Sequence, residues 1–243
     1  MRRHLVMYNA RSGSTVVGNH IAENVCKPAF RFYEHGLEST EIHDDEYDWY
    51  LGLISDINNK HPGIEWCMKW NIMAGLRDGM KRKDKHSLWE FDFSKVHNFF
   101  KIVGVTDLHF SFRHDMIDTI CSFIIAEHSG NWVVRDRKIA SCEPFEIEKG
   151  HIEHQIKAFD LAHQAYSRSV EEMKGKYDCH FYPYESLGDI IDIDNDPHGL
   201  VKQLSKEEKT KIIINYDEVE KSIKESKLWN REYDKSTGVY TLE

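Results

Sequence analysis

Apolar positions at residues 4–9 form a short run that passes through Ala10-Arg11-Ser12-Gly13-Ser14-Thr15 into residues 16–25, where apolar side chains return at roughly helical spacing. The pattern predicts a strand, a tight turn and a helix. Four more short runs rich in aromatic or β-branched residues, at 29–33, 64–70, 106–112 and 179–184, read as strands. Helical periodicity fills the intervals at 45–58, 94–101, 114–127 and 148–174. In the last of these, Ile152, Ile156, Phe159, Leu161, Ala162 and Tyr166 fall near one face. Strands alternating with helices predict an α/β fold of three layers, with a central, mainly parallel sheet flanked by helices.

The segments 77–85, basic, and 188–197, acidic, read as exposed loops, and there is no internal repeat. From 207 to 227 the pattern is charged and helical, and a polar tail follows. The expected organisation is one domain over 1–243, with 205–243 a peripheral helical extension or a swapped arm.

Composition narrows the class. The 243 residues are 40% hydrophobic and 30% charged, enough to bury a continuous core, and the formal net charge is −9. Such a surface repels nucleic acid and anionic lipid, so any bound anion must be held by a local arrangement of donors. Five scattered cysteines, odd in number and without CxxC spacing, suggest neither a disulfide framework nor a zinc knuckle. No run approaches the ~20 apolar residues a membrane span requires, and the apolar stretch after Met1-Arg2-Arg3 is too short for a signal peptide. These features lead to the expectation of a soluble, cytoplasmic protein.

The candidate chemistry begins at the first turn. Where a strand hands over to a helix, unpaired N–H groups and the helix dipole attract an anion. Gly13 lets the main chain turn closely, Ser12, Ser14 and Thr15 offer hydroxyls, and Arg11 adds a forked cation. A nucleotide kinase loop of the form GxxxxGK[ST] carries a lysine before its Ser/Thr, and that lysine is missing here. The competing interpretation is a simple Ser/Gly-rich helix cap.

A second constellation follows at His109-Phe110-Ser111-Phe112-Arg113-His114-Asp115, with Ser122 nine positions after Arg113 and then Gly130-Asn131-Trp132. Taken singly, Arg113 reads better as an ion pair with Asp115 or Asp118, and Ser122 as a hydroxyl bonded to its own helical turn. Together, Arg11-Ser-Gly-Ser-Thr15 and Arg113 to Ser122 resemble the 5′-phosphosulfate loop and the 3′-phosphate grip of sulfotransferases that use 3′-phosphoadenosine-5′-phosphosulfate (PAPS). The finer resemblance is to the bacterial trehalose sulfotransferase-like branch. Met68-Lys69-Trp70 is similar to that branch's Gly-x-Lys strand, with Cys67 in place of the usual glycine, and Tyr184-Glu185-Ser186-Leu187 is similar to its Tyr-Glu-x-Leu strand end. The likeness spans residues 4 to about 190. The Arg-Lys-Gly segment of animal cytosolic sulfotransferases has only a faint echo, at Lys235-Ser236-Thr237-Gly238.

The resemblance implies a P-loop-like sulfotransferase fold and in-line transfer of a sulfuryl group from PAPS to a hydroxyl of a small, carbohydrate-like acceptor, leaving adenosine 3′,5′-bisphosphate. It implies PAPS contacts from Arg11, Ser12, Gly13, Ser14, Thr15, Arg113 and Ser122, and a homodimer. Sulfuryl transfer, like phosphoryl transfer, is served by positioning and charge stabilisation, and no metal is expected. Arg11 would stabilise the transferring oxygens, and Lys69 either contacts the reacting groups or snorkels from its strand. Glu34, in Pro28-Ala29-Phe30-Arg31-Phe32-Tyr33-Glu34, is the first choice of base by the resemblance, and a carboxylate among aromatics gains basicity. His35 is the second choice.

Trp70 and Trp132 are pocket or core aromatics. His151 and His154, three apart with His163 further on, read as a solvated helix face rather than metal ligands, and the basic run 81–85 reads as a solvated loop. Two alternatives stay open: a P-loop-type nucleotide phosphotransferase, and a non-catalytic nucleotide-binding protein on the same fold.

Overall fold

The computed structural model describes residues 2–9, 11–26, 29–31, 52, 55, 59, 65–71, 97, 98, 100–102, 104–130, 142–191 and 204–241. Five strands, β1 (Arg3–Tyr8), β2 (Ala29–Arg31), β3 (Glu65–Asn71), β4 (Asp107–Phe112) and β5 (Asp178–Pro183), make one sheet in the order β2-β3-β1-β4-β5. Every pairing is parallel, with Tyr8 in register with Asn71 on one side and Ser111 on the other. The expected α/β class and parallel sheet are therefore present.

Alternation along the strands gives the sheet two different faces. Leu5, Met7, Met68, Leu108, Phe110 and Phe112 point to one side, where they pack with Tyr166, Val170 and Met173 of the long helix α3 (Lys149–Met173). Of the stripe expected from the 3.6-residue period, Ile152, Phe159, Ala162 and Tyr166 of α3 are buried, and Ile156 and Leu161 are half-buried beside them. On the opposite side Val6 and Cys67 meet Val17, Ile21 and Ala22 of α1 (Ser14–Asn24). The helix α2 (Met116–Ser129) starts on the Asp115 cap, whose side chain accepts from the Asp118 N–H (2.8 Å), and ends where Gly130 takes a left-handed φ of 71°.

The charged segment expected as one helix over 207–227 is three: α5 (Lys206–Ile212), α6 (Tyr216–Lys224) and α7 (Lys227–Asn230), preceded by the short α4 (Leu187–Ile190) after β5. Periodicity missed the break because its cause is tertiary. At the end of α5 the Phe145 N–H donates to the Ile212 carbonyl (2.8 Å) and Ile214 N–H returns to the Phe145 carbonyl (2.9 Å). The Asn215 side chain bonds both main-chain groups of Ile147. Ile213, Tyr216, Val219, Ile223 and Leu228 then share a core with α2 and α3, so this segment is part of the packed interior. Further on, Gly238 lies against the Phe112 ring and Thr237 accepts from the Tyr166 hydroxyl (2.8 Å). Among the described residues, no helix is long and apolar enough to cross a membrane.

Candidate functional site

The chain leaves β1 toward β2 on one side and leaves β4 toward β5 on the other. In an open parallel sheet such a divergence leaves a crevice at the carboxyl ends of the two neighbouring strands. The first turn, after β1, and Arg113, after β4, both lie there.

The turn has a demanding main chain. Arg11 has a φ of 65° and Gly13 one of 77°, so two of three consecutive residues are left-handed. For arginine that conformation costs energy, of order 1–3 kcal/mol, and the surroundings must hold it. A Cβ on Gly13 would stand 2.7 Å from Leu187 Cδ1 and 2.9 Å from Tyr184 Cδ2. Glycine thus satisfies both the dihedral and the close approach of the segment after β5. Gly13 also caps α1 without a side chain, so no side-chain cap bonds the first N–H groups of the helix among the described residues.

Two links tie the turn to β4. Ser111 Oγ donates to the Ser12 carbonyl (2.6 Å), and Arg113 Nη1 donates to the Arg11 carbonyl (3.5 Å). The guanidinium of Arg113 is 6% exposed, sits 4.1 Å from the centre of the Tyr184 ring, and pairs with Asp118, with Glu185 Oε1 4.0 Å from its Nε. The alternative reading of Arg113 as an ion pair with Asp118 is realised, but in the interior. Glu185 Oε1 also accepts from the main-chain N–H groups of His114 (2.9 Å) and Asp115 (3.0 Å). Tyr184 thus stacks on Arg113 and, with Leu187, presses on Gly13, while Glu185 holds the start of α2 and faces Arg113.

Sequence reading missed Lys209, which lies in the charged stretch of α5. Its side chain is fully buried, and its ammonium meets the Asp118 carboxylate and the Asp118 carbonyl (3.2 Å). Arg113 and Lys209 therefore share one aspartate. Burial, and next the charge of Arg113, pushes the Lys209 pKa down to about 7. Burial lowers both arginines as well, and at Arg11 the charge of Arg113 is the next cause. Guanidinium remains charged through such shifts, so neighbouring partly desolvated cations are stabilised by an incoming anion.

Lys69 comes to the same turn from β3. Its Nζ donates to Thr15 Oγ1 (3.0 Å) and stands 5.5 Å from the Tyr8 ring centre. A lysine, absent from the turn itself, thus reaches it from another strand. Asn9, 3% exposed, and Ser12, 1% exposed, carry side-chain polar atoms with no hydrogen-bond partner among the described residues. Buried groups of this kind call for a partner.

Of the expected site residues, Arg11, Ser12, Gly13 and Arg113 are brought together, and Lys69 joins at Thr15. Ser14 opens α1 and is buried. Ser122 is buried on α2, four residues after Asp118. Glu34, His35 and Trp132 lie outside the described residues, as do the helix expected at 45–58, except isolated positions, and the loop at 77–85. Gly130 serves α2 as its C-cap. His151, His154 and His163 do not form a cluster: His151 pairs with Glu127 (3.3 Å), His154 is exposed and His163 is buried.

The fold and site define an α/β protein in which Arg11, Lys69 and Arg113 gather around the turn that follows β1 in a parallel sheet. Comparison with family models, curated proteins and solved structures finds no match for the chain.

Proposed function

We propose that the protein is a PAPS-dependent sulfotransferase with a P-loop-like fold, moving a sulfuryl group to a hydroxyl of a small, carbohydrate-like acceptor. The observation that carries this reading is the meeting of Arg113 with the Arg11 turn, the two segments this reading assigns to the two phosphate ends of the nucleotide. The orphaned polar atoms of Asn9 and Ser12, and the start of α1 without a side-chain cap, fit a phosphate-bearing ligand.

In this reading PAPS supplies the sulfuryl group and its own leaving phosphate. Arg11 and the turn at Ser12, Gly13, Ser14 and Thr15 hold the 5′ end, where Lys69 adds charge stabilisation from β3. Arg113 and Ser122 hold the 3′-phosphate, with Lys209 behind Asp118 adding to the field. Glu34 takes the acceptor's proton, with His35 as the second choice.

Thermal shift with adenosine 3′,5′-bisphosphate against ATP–Mg²⁺, followed by a radiolabelled sulfate-transfer screen, tests the reading. A shift with the bisphosphate and label on a sugar acceptor, lost in Glu34→Gln while binding persists, is the expected result. A shift with ATP–Mg²⁺ alone would favour a phosphotransferase, and a bisphosphate shift without transfer to any acceptor a non-catalytic binder.

A further inference from the structure

Asp-x-His occurs at the start of two neighbouring strands, Asp107-Leu108-His109 in β4 and Asp178-Cys179-His180 in β5. Parallel register sets Asp107 beside Asp178 and His109 beside His180. Alternation then puts all four on one face of the sheet, at the amino-terminal rim and away from the crevice. One oxygen of each aspartate and a ring nitrogen of His180 lie within 4.8 Å of one another. His180 Nε2 is 3.5 Å from Asp107 Oδ1 and 3.8 Å from Asp178 Oδ2. An ion bonded tetrahedrally at about 2.0–2.2 Å needs its ligand atoms about 3.3–3.6 Å apart, so a small closure forms the site.

A second observation points to a ligand. Asp107 is 2% exposed, and its two oxygens are treated differently. Oδ2 accepts from the Thr106 hydroxyl (2.6 Å), which sets the carboxylate's orientation as an outer-shell partner does. Oδ1 is buried without a hydrogen-bond partner among the described residues and faces His180 Nε2 and Arg2 Nη1, each at 3.5 Å. The Arg2 side chain is 60% exposed and free to be displaced by a stronger cation. Asp178 and His180 are open to solvent and provide an entry path.

The His180 ring is held by stacking on His109, with centroids 4.7 Å apart and planes at 15°. His109 itself is committed elsewhere, its ring nitrogens lying 2.9 Å from His4 Nδ1 and 3.2 Å from the Tyr182 hydroxyl. It buttresses the site without joining it. Two carboxylates and one imidazole suit a first-row transition ion better than calcium or magnesium, which prefer all-oxygen shells.

We propose that Asp107, Asp178 and His180 form a three-ligand site for a divalent transition ion, zinc foremost, joining the starts of β4 and β5. The site departs from the expectation that no metal is bound, and it is independent of the sulfotransferase reading.

The test is calorimetric titration of tag-free, metal-stripped protein with ZnCl₂, alongside its thermal midpoint and the visible spectrum of the Co²⁺ form. The expected result is one ion per chain, a raised midpoint, and at least a tenfold loss of affinity in both His180→Ala and Asp178→Asn. Those two positions are solvent-accessible, so folding is preserved and circular dichroism checks it. Arg2→Ala should tighten binding by removing the competing cation, and His151→Ala should leave it unchanged. Absence of zinc binding by the native chain, or binding that survives both His180→Ala and Asp178→Asn, would overturn the proposal.

Discussion

Arg113 and Lys209, 96 residues apart in the chain, converge on the single carboxylate of Asp118. Asp118 thus serves two buried cations, with Glu185 Oε1 4.0 Å from Arg113 Nε, in a protein whose net charge is −9. This cluster stands beside the Arg11 turn, whose carbonyl accepts from Arg113 Nη1 (3.5 Å).

Burial, and next the charge of Arg113, pushes the Lys209 pKa down to about 7, so the free protein should lose this proton as pH rises through neutrality. A bound anion favours the charged form and draws the proton back. Binding of adenosine 3′,5′-bisphosphate at pH 7.5–8 should therefore take up a proton, with affinity falling as pH rises above about 7. Calorimetry in buffers of different ionisation enthalpy measures the uptake directly. Lys209→Met should abolish it, and equal enthalpies in all buffers for the native chain would contradict the role of Lys209.

Gly13→Ala tests the turn. The left-handed φ and the close approach of Leu187 and Tyr184 both oppose a methyl group. The expected cost is about 1–3 kcal/mol of stability, read as a lower urea midpoint with an unchanged slope. Leu187→Ala, which opens space but leaves the dihedral, should relieve part of that cost in the double variant. Strict additivity would show that crowding is not involved.

Acid stability follows from buried histidines. Burial holds His109 down to about 2 and His163 down to about 3, against an ordinary 6.5. The unfolded chain binds their protons below pH 6.5 while the folded chain does not. Their stabilising effect is complete above pH 6.5 and is lost as pH falls below it, at up to about 1.4 kcal/mol per pH unit for each. Urea unfolding at pH 7.5, 6.0 and 5.0 should show this loss, and His163→Phe should make it shallower. Parallel profiles would contradict the assignment.

Much of the sheet was legible because its strands are short runs rich in aromatic and β-branched residues, and because α1 and α3 show apolar residues at helical spacing. The turn at Arg11–Thr15 and the Arg113 segment were legible as separate motifs. Their contact was not, since it depends on β1 and β4 being neighbours, a fact of topology rather than pattern. Lys209 was hidden because a buried lysine in Lys206-Glu207-Glu208-Lys209-Thr210-Lys211-Ile212 looks like any solvated helix until Asp118 is placed beside it. The twofold Asp-x-His was visible as a string, yet it gained meaning only through the register of β4 and β5.

The most direct test of the central claim is calorimetric titration of adenosine 3′,5′-bisphosphate into the native chain, Arg11→Ala and Arg113→Ala. Removing a charge-assisted partner of a phosphate should cost about 1.5–3 kcal/mol, or roughly 10- to 150-fold in affinity, for each arginine. Binding by the native chain with losses of that size in both variants is the predicted result. Unchanged affinity in both variants, or no binding by the native chain, would contradict the account.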